Sequence, residues 1–598
     1  MSEGKNHEME QQMEWNSSTL PLSAEEYLQK QQKFIENYKW LVNSFLAEFF
    51  AEGLWERIPL SWRICLEKIS IDEFHDLISP DVKGKNFSCV LPLSLLSFIA
   101  LCHYLALPRK QMFNECTQTK DSANDTKLPH SFRRHVKIKK QYEVKHLSQL
   151  IKTVADHIGC NQIADVGGGL GHLSRYLAFV HHLQVVTIES EGHHKMTAEK
   201  FDKETLRDIQ RSKLRQNTGK PQDCDEAPPI HVTKMVPLDI SADEFVNIIL
   251  SARRNSPAER FQDENESMPS ENRTFDDNKQ TSTDSEENKE NYVLVGLHTC
   301  GDLSPTMIRT FVNCEGAKAI VLISCCYMKL TCNEVEMNFN NLSISEEGNR
   351  LPAKHVQTNC SCNSASCSED LHFETNSPDG KHNNADDASK KSAISEDTGL
   401  SGCCCTNHEG RNNVIKDKTD QIAPKHTGFP MSHYLRRQSK LSVDWDGLEL
   451  ACHNLDNYCQ RLLDEKEKLK IQCYRAALEV VIRKLRPDMK NPQIRCQKIK
   501  GASRLSFQEY AHAALQRINI SKPSQEIFEE LDINSFLSRW KEVTMFYCLR
   551  LLIGPVIESM VLTDRLLYMQ ENGFRANLYT VFDAKISPRN FALVSFKD

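Results

Sequence analysis

The sequence predicts an α/β protein. Its centre is a doubly wound, Rossmann-like sheet of seven strands closed by a C-terminal β-hairpin, with an N-terminal helical domain, a helical insertion and two disordered insertions around it. Three observations predict this class. Short β-branched runs alternate with helical patterns between residues 130 and 335. A glycine-rich turn follows the first of these runs. The last two apolar runs of the chain flank the turn Ser587-Pro588-Arg589-Asn590, the pattern of a hairpin.

The elements follow in order. Residues 1–19 are polar, without the apolar core of a secretory signal, and read as a disordered N-terminus. Residues 20–125 read as a helical domain, with Leu41, Phe45, Phe49 and Leu54 at helical spacing. Within it, residues 89–107 match a membrane span in length, but Pro92, Ser94, Ser97 and His103 favour a buried helix, so no membrane partner is expected. Residues 130–335 hold the first part of the sheet. Strands are expected at 162–166, 184–188, 231–236, 292–297 and 319–324, and helices at 172–179, 195–214, 242–251 and 305–312. Residues 252–291 and 336–427 each carry a net charge of −5 and only two aromatic residues. Neither segment can bury enough apolar surface to offset its chain entropy, so both are expected to be disordered. Residues 428–575 form a helical lobe, and residues 576–598 supply two strands, 578–583 and 591–596. The chain therefore leaves the sheet after Ser324 and returns to it at its C-terminus.

Composition narrows the function classes. The 598 residues are 39% hydrophobic and carry a net charge of −7, which excludes a basic nucleic-acid packaging protein. Collagen-like and coiled-coil periods are absent. The 22 cysteines, in a chain without a signal peptide, read as thiols of a reducing compartment, cytoplasmic and/or nuclear and not secreted.

The strongest local signal is Asp165-Val166-Gly167-Gly168-Gly169-Leu170-Gly171-His172. Asp165, Gly167, Gly168, Gly169 and Gly171 end a strand and open a helix, where backbone can approach a ligand and the helix N-terminus favours polar groups. His172 stands where the nicotinamide fingerprint has its last glycine, and the spacing suits the amino-acid portion of S-adenosyl-L-methionine instead. Glu189, at the end of the second strand, is placed to accept ribose hydroxyls, and Asp239, after the third, to meet the adenine amino group. His298, Cys300 and Asp302 follow the fourth strand and Cys325-Cys326-Tyr327 the fifth, at the edge where ligands bind in such sheets. His298, Cys300, Asp302 and Tyr327 are therefore candidate catalytic residues. The thiols form no CxxC pair, so a buried cluster lining the cleft is expected and no structural metal; Cys360, Cys362, Cys367 and Cys403–Cys405 carry an equally weak metal signal.

The segments DVGGGLGHLSR, VGLHTCGDLSP, ISCCYMKL, GFPMSHYL and the C-terminal ESMVLTDRLLYMQ and SPRNFALVSF resemble the methyltransferase-like protein 25 family. That family is grouped with the ribosomal RNA adenine dimethylase domain-containing proteins. The resemblance runs from about residue 137 to the C-terminus, apart from the two polar insertions. It implies an S-adenosyl-L-methionine-dependent methyltransferase with an unidentified acceptor, RNA or protein. Gly168 and Leu170 replace the Ala and Lys usual in the family's first motif, and Tyr142 replaces the His of its KK-x-HEV run. Lys139 and Lys140 of that run are candidate substrate contacts, and further basic residues lie between Arg133 and Lys145 and between Arg483 and Arg504. The N-[IL]-P-[FY] motif of adenine N6 dimethylases is replaced by Leu297-His298-Thr299-Cys300, so base amino methylation is not expected. The alternative from another class is a non-catalytic interaction protein that keeps the fold.

Overall fold

The computed structural model describes residues 20–111 (except 21 and 81–83), 130–216, 227–254, 291–332 and 427–597 (except 439–442, 454, 465 and 490–498). The segments expected to be disordered, residues 1–19 and nearly all of 252–291 and 336–427, lie outside the described residues, as do Cys360, Cys362, Cys367 and Cys403–Cys405.

Seven strands form one mixed sheet: β1 (Gln162–Val166), β2 (Gln184–Glu189), β3 (Ile230–Thr233), β4 (Tyr292–Thr299), β5 (Ala317–Ser324), β6 (Ala576–Thr580) and β7 (Phe591–Phe596). Their order is β3-β2-β1-β4-β5-β7-β6. The first five pair in parallel, and β7 runs antiparallel to both β5 and β6. The third strand is shorter than the 231–236 expected: its last ladder bond runs from the Lys234 N–H to the Glu189 carbonyl at 2.9 Å, and Pro237, which has no N–H to donate, follows soon after. The fourth is longer and carries a register shift between Leu297 and Thr299. The sixth begins and ends earlier than the 578–583 expected.

Alternation divides each strand between two cores. Ile163, Val185, Val293, Val295, Val321 and Val594 face helices α1 (Ile138–His157) and α2 (His172–His181). Ala164, Val186, Leu294, Ile320, Leu322 and Leu593 face α3 (Ala242–Arg254), α4 (Leu303–Asn313), α5 (Trp540–Leu551) and α6 (Gly554–Glu571). With both faces covered, the central strands are almost wholly apolar rather than alternating. The second core is continuous with the N-terminal helices: Phe34, Phe74 and Phe98 are buried in it alongside Phe546 and Met560. The helical run Trp540–Glu571 is long and apolar enough to cross a membrane, and its most apolar stretch is almost wholly buried inside the protein.

The segment 427–432, where the described chain resumes after β5, is tied down by three groups. Asp564 on α6 accepts from the N–H groups of Met431 and Ser432 at 2.6 and 3.0 Å and from Ser432 Oγ at 2.5 Å. Arg309 on α4 donates to the Thr427 carbonyl. The Gly428 N–H donates to the Thr331 carbonyl at 2.8 Å, so the chain leaves and re-enters this unit at adjacent points. These contacts give the segment GFPMSHYL a structural role at the junction.

Candidate active site

The glycine turn closes β1 against β2. Gly167, Gly169 and Gly171 all have left-handed backbone, with φ of +73°, +57° and +67°. Gly169 is the position where this matters most for a ligand. A Cβ there would meet no atom within 4 Å, so the backbone is bare toward open space, and its N–H donates to Glu189 Oε2 at 2.8 Å. The other carboxylate oxygen of Glu189 accepts from Ser190 Oγ and the Glu191 N–H, both at 3.2 Å. Glu189 thus joins the turn to the end of β2 and lies only half-buried beside it. Gly168 is excluded from a side chain for a different reason: a Cβ would lie 2.3 Å from Thr187 Cγ2. The family's usual Ala does not fit against this threonine.

Asp165 sits behind the turn. Its carboxyl is buried and accepts from Ser174 Oγ at 2.5 Å, and burial raises its pKa to about 6. It therefore pins the first turn of α2 to β1. His172 opens that helix with Gly171 as its N-cap. Burial and the neighbouring Arg175 lower the His172 pKa to about 3, so the ring is neutral, and Arg175 lies 3.2 Å from its Nδ1. Asp239 lies on an exposed turn after β3, and the cap of α3 is Ser241, whose Oγ accepts from the Glu244 N–H at 3.1 Å.

The four candidate catalytic residues are turned in different directions. His298 has φ of +64° at the bulge in β4. Left-handed backbone at a non-glycine residue is costly, and bulges re-aim side chains. Here the ring is aimed at α1: Nε2 lies 2.9 Å from Glu143 Oε2, and the side chain stays 24% exposed. Glu143 is buried, and its other oxygen accepts from Ser587 Oγ at 2.8 Å. Although burial opposes ionisation, His298, Lys140 and Lys139 hold the Glu143 carboxyl down to about 2. An ionised carboxylate only accepts, so His298 Nε2 is the donor in this contact. The contact of Glu143 with His298 was not anticipated from the sequence; its place in the KK-x-HEV run was the signal available.

Cys300 turns toward the end of β5. Its Sγ lies 2.9 Å from Cys325 Sγ and 3.3 Å from Cys326 Sγ, and the latter two are 3.5 Å apart. Gly301 allows this approach, because a Cβ there would lie 2.7 Å from the Lys329 carbonyl oxygen. Hydrogen bonding among the thiols, from Cys300 first, and burial push the Cys325 thiol well above its ordinary range. Asp302 turns away from the cleft: its Oδ1 accepts from the Thr331 N–H at 2.8 Å. Tyr327 is buried, donates to Glu558 Oε1 at 3.0 Å, and has Arg565 and Arg589 over its ring. Both side chains are thus engaged in hydrogen bonds within the protein.

Lys139 and Lys140 both lie within electrostatic reach of Glu143. Lys139 lies 3.8 Å from Glu143 Oε1. Lys140 is half-buried, and burial lowers its pKa against the pull of Glu143, Asp165 and Cys325. Elsewhere Arg134 pairs with Glu204 and Asp208, and Arg483 with Glu48, Glu52 and Glu479. Lys490, Arg495 and Lys498 lie outside the described residues.

A family model described as a methyltransferase domain matches residues 139–333, from the start of α1 to just past β5. Among curated proteins, the chain is 24% identical over 538 residues to "Probable methyltransferase-like protein 25" of Mus musculus, covering 77% of this chain and 75% of the relative. It is 23% identical over 541 residues to the protein of the same name from Homo sapiens, covering 77% and 74%. No solved structure matches the chain significantly.

Proposed function

We propose that the chain, which matches a methyltransferase domain over residues 139–333 and is similar along most of its length to the methyltransferase-like protein 25 relatives, transfers the methyl group of S-adenosyl-L-methionine to an acceptor in RNA or protein. The observation that carries this reading is the pairing of two features at one edge of the sheet. One is the bare, left-handed Gly169 turn after β1, tied to Glu189; the other is the strained His298 on the neighbouring strand β4, held by Glu143 of α1.

The residues fit the cofactor. The open backbone at Gly169 leaves room for a close-lying ligand, and Glu189 offers two acceptor oxygens to vicinal hydroxyls. The cofactor supplies an electrophilic methyl on a sulfonium that is already a good leaving group. What the chain adds is alignment and proton handling. His298 Nδ1 is the available base for an acceptor that loses a proton from oxygen or nitrogen. Glu143 fixes the ring's tautomer and stabilises the imidazolium that forms, and Ser587 from the segment between β6 and β7 fixes Glu143.

Transfer of labelled methyl from S-adenosyl-L-methionine to fractionated RNA and protein from knockout cells tests the reading. One fraction should be labelled by the parent protein, and His298→Ala should cut the rate by about 10²-fold or more while cofactor affinity is kept. Cofactor binding with no labelled fraction would favour the non-catalytic alternative. A product identified as N6-methyladenine would contradict the acceptor chemistry argued here.

A further inference from the structure

Cys300, Cys325 and Cys326 are brought together from two strand ends, and their three sulfur atoms all lie within 4.8 Å of one another. The separations of 2.9, 3.3 and 3.5 Å exceed a disulfide's bond length of about 2.05 Å. They fall a few tenths of an ångström to just under one short of the ~3.8 Å between sulfurs that share a tetrahedral zinc ion with Zn–S bonds of about 2.3 Å. Small outward rotations of the side chains would reach that spacing. The backbone is arranged for the approach, since Gly301 passes so close to Lys329 that no side chain fits there, and its N–H donates to the Cys326 carbonyl at 3.3 Å.

We propose that these three cysteines bind a thiophilic divalent cation, with zinc as the ion selected by a soft all-sulfur site. Three thiols lose three protons to solvent as three sulfur–zinc bonds form, which leaves the site with one net negative charge. The ammonium of Lys140 is the compensating charge. It is half-buried, interacts electrostatically with Cys325, Asp165 and Glu143, and makes no hydrogen bond or ion pair with another described residue. A fourth thiol, Cys452, approaches from the helical lobe, but its Sγ is directed at the carbonyls of Leu448 at 3.3 Å and Cys325 at 3.8 Å. The fourth tetrahedral position is therefore left to a water or another non-protein donor, the arrangement of three-ligand zinc sites. The site lies at the carboxyl ends of β4 and β5, on the edge that carries the glycine turn; Leu303, three residues after Cys300, is the side chain that a Cβ at Gly167 would meet, at 3.0 Å. The proposal stands on this geometry and does not depend on methyl transfer.

The test is metal analysis of the full-length protein, purified under reducing conditions without chelator or immobilised metal. About one zinc per chain is expected. Replacement by cobalt should give intense thiolate-to-cobalt absorption, and Cys300→Ser and Cys325→Ser should each lose both signals. Cys452→Ser should keep them. A parent protein that holds no zinc and shows no charge-transfer band with added cobalt would overturn the proposal. So would a peptide map with Cys300 in a disulfide to Cys325 or Cys326, or loss of the ion in Cys452→Ser.

Discussion

At the scale of single residues, the turn after β1 is governed by space and by one buried charge. Gly168 and Thr187 compete for the same volume, with a Cβ at 168 only 2.3 Å from Thr187 Cγ2. Gly168→Ala should cost about 1–3 kcal/mol by overpacking, and adding Thr187→Ser, which removes that methyl, should recover most of it. Denaturant titrations of the two single variants and the double variant measure the coupling; additive effects would show that the turn relaxes some other way. Asp165 has a folded-state pKa of about 6 against an ordinary 3.8, raised by burial. Its contribution to stability is thus complete below about 3.8 and is lost as pH rises through about 6. Asp165→Asn keeps an acceptor for Ser174 without the charge. Relative to the parent, it should gain about 3 kcal/mol between pH 3.5 and pH 7.5, the worth of roughly two pKa units. Parallel unfolding curves at the two pH values check this, and an unchanged difference would mean that the carboxyl is not buried as described.

At the scale of elements, the sheet depends on strands contributed by the far end of the chain. β7 lies between β5 and β6, and Ala592, Leu593 and Val594 are buried in the two cores. Removing residues 576–598 should expose the side of β5 and abolish cooperative melting. By contrast, the Gly428 N–H bonds to the Thr331 carbonyl, so a short linker can replace residues 338–425 with little loop-closure cost, and that deletion should melt near the parent. Asp564→Ala leaves the N–H groups of Met431 and Ser432 buried without partners and should cost about 3 kcal/mol or more. A thermal melt of each variant decides. Most strands were legible in the sequence because the cues are local: the β-branched run at residues 162–166 is bounded by a glycine turn, and the run at 591–596 follows Ser587-Pro588. The bulge that lengthens β4 to Thr299 was not legible, since it depends on how β5 pairs beside it.

At the scale of the whole molecule, the same division holds for the site. The glycine turn is a contiguous motif and could be read directly. The His298–Glu143 pair joins positions 155 residues apart, and the Ser587–Glu143 bond spans 444, so neither leaves a trace in local composition. Asp302 and Tyr327 lie beside cleft residues in sequence, yet one is spent on Thr331 and the other on Glu558. Basic residues that suggest a nucleic-acid face in one dimension are partly consumed by ion pairs in three, as Arg483 is by Glu48, Glu52 and Glu479. The central claim is that the Gly169 turn and Glu189 hold S-adenosyl-L-methionine. Isothermal calorimetry of the full-length parent and of Gly169→Arg tests it most directly. The arginine enters open space and its left-handed backbone costs only about 1–2 kcal/mol, so the variant should still melt cooperatively at a somewhat lower temperature, yet its side chain would occupy the room in front of the turn. The account predicts one cofactor bound per chain in the parent and no detectable binding in the folded variant; equal binding by the two proteins would contradict it.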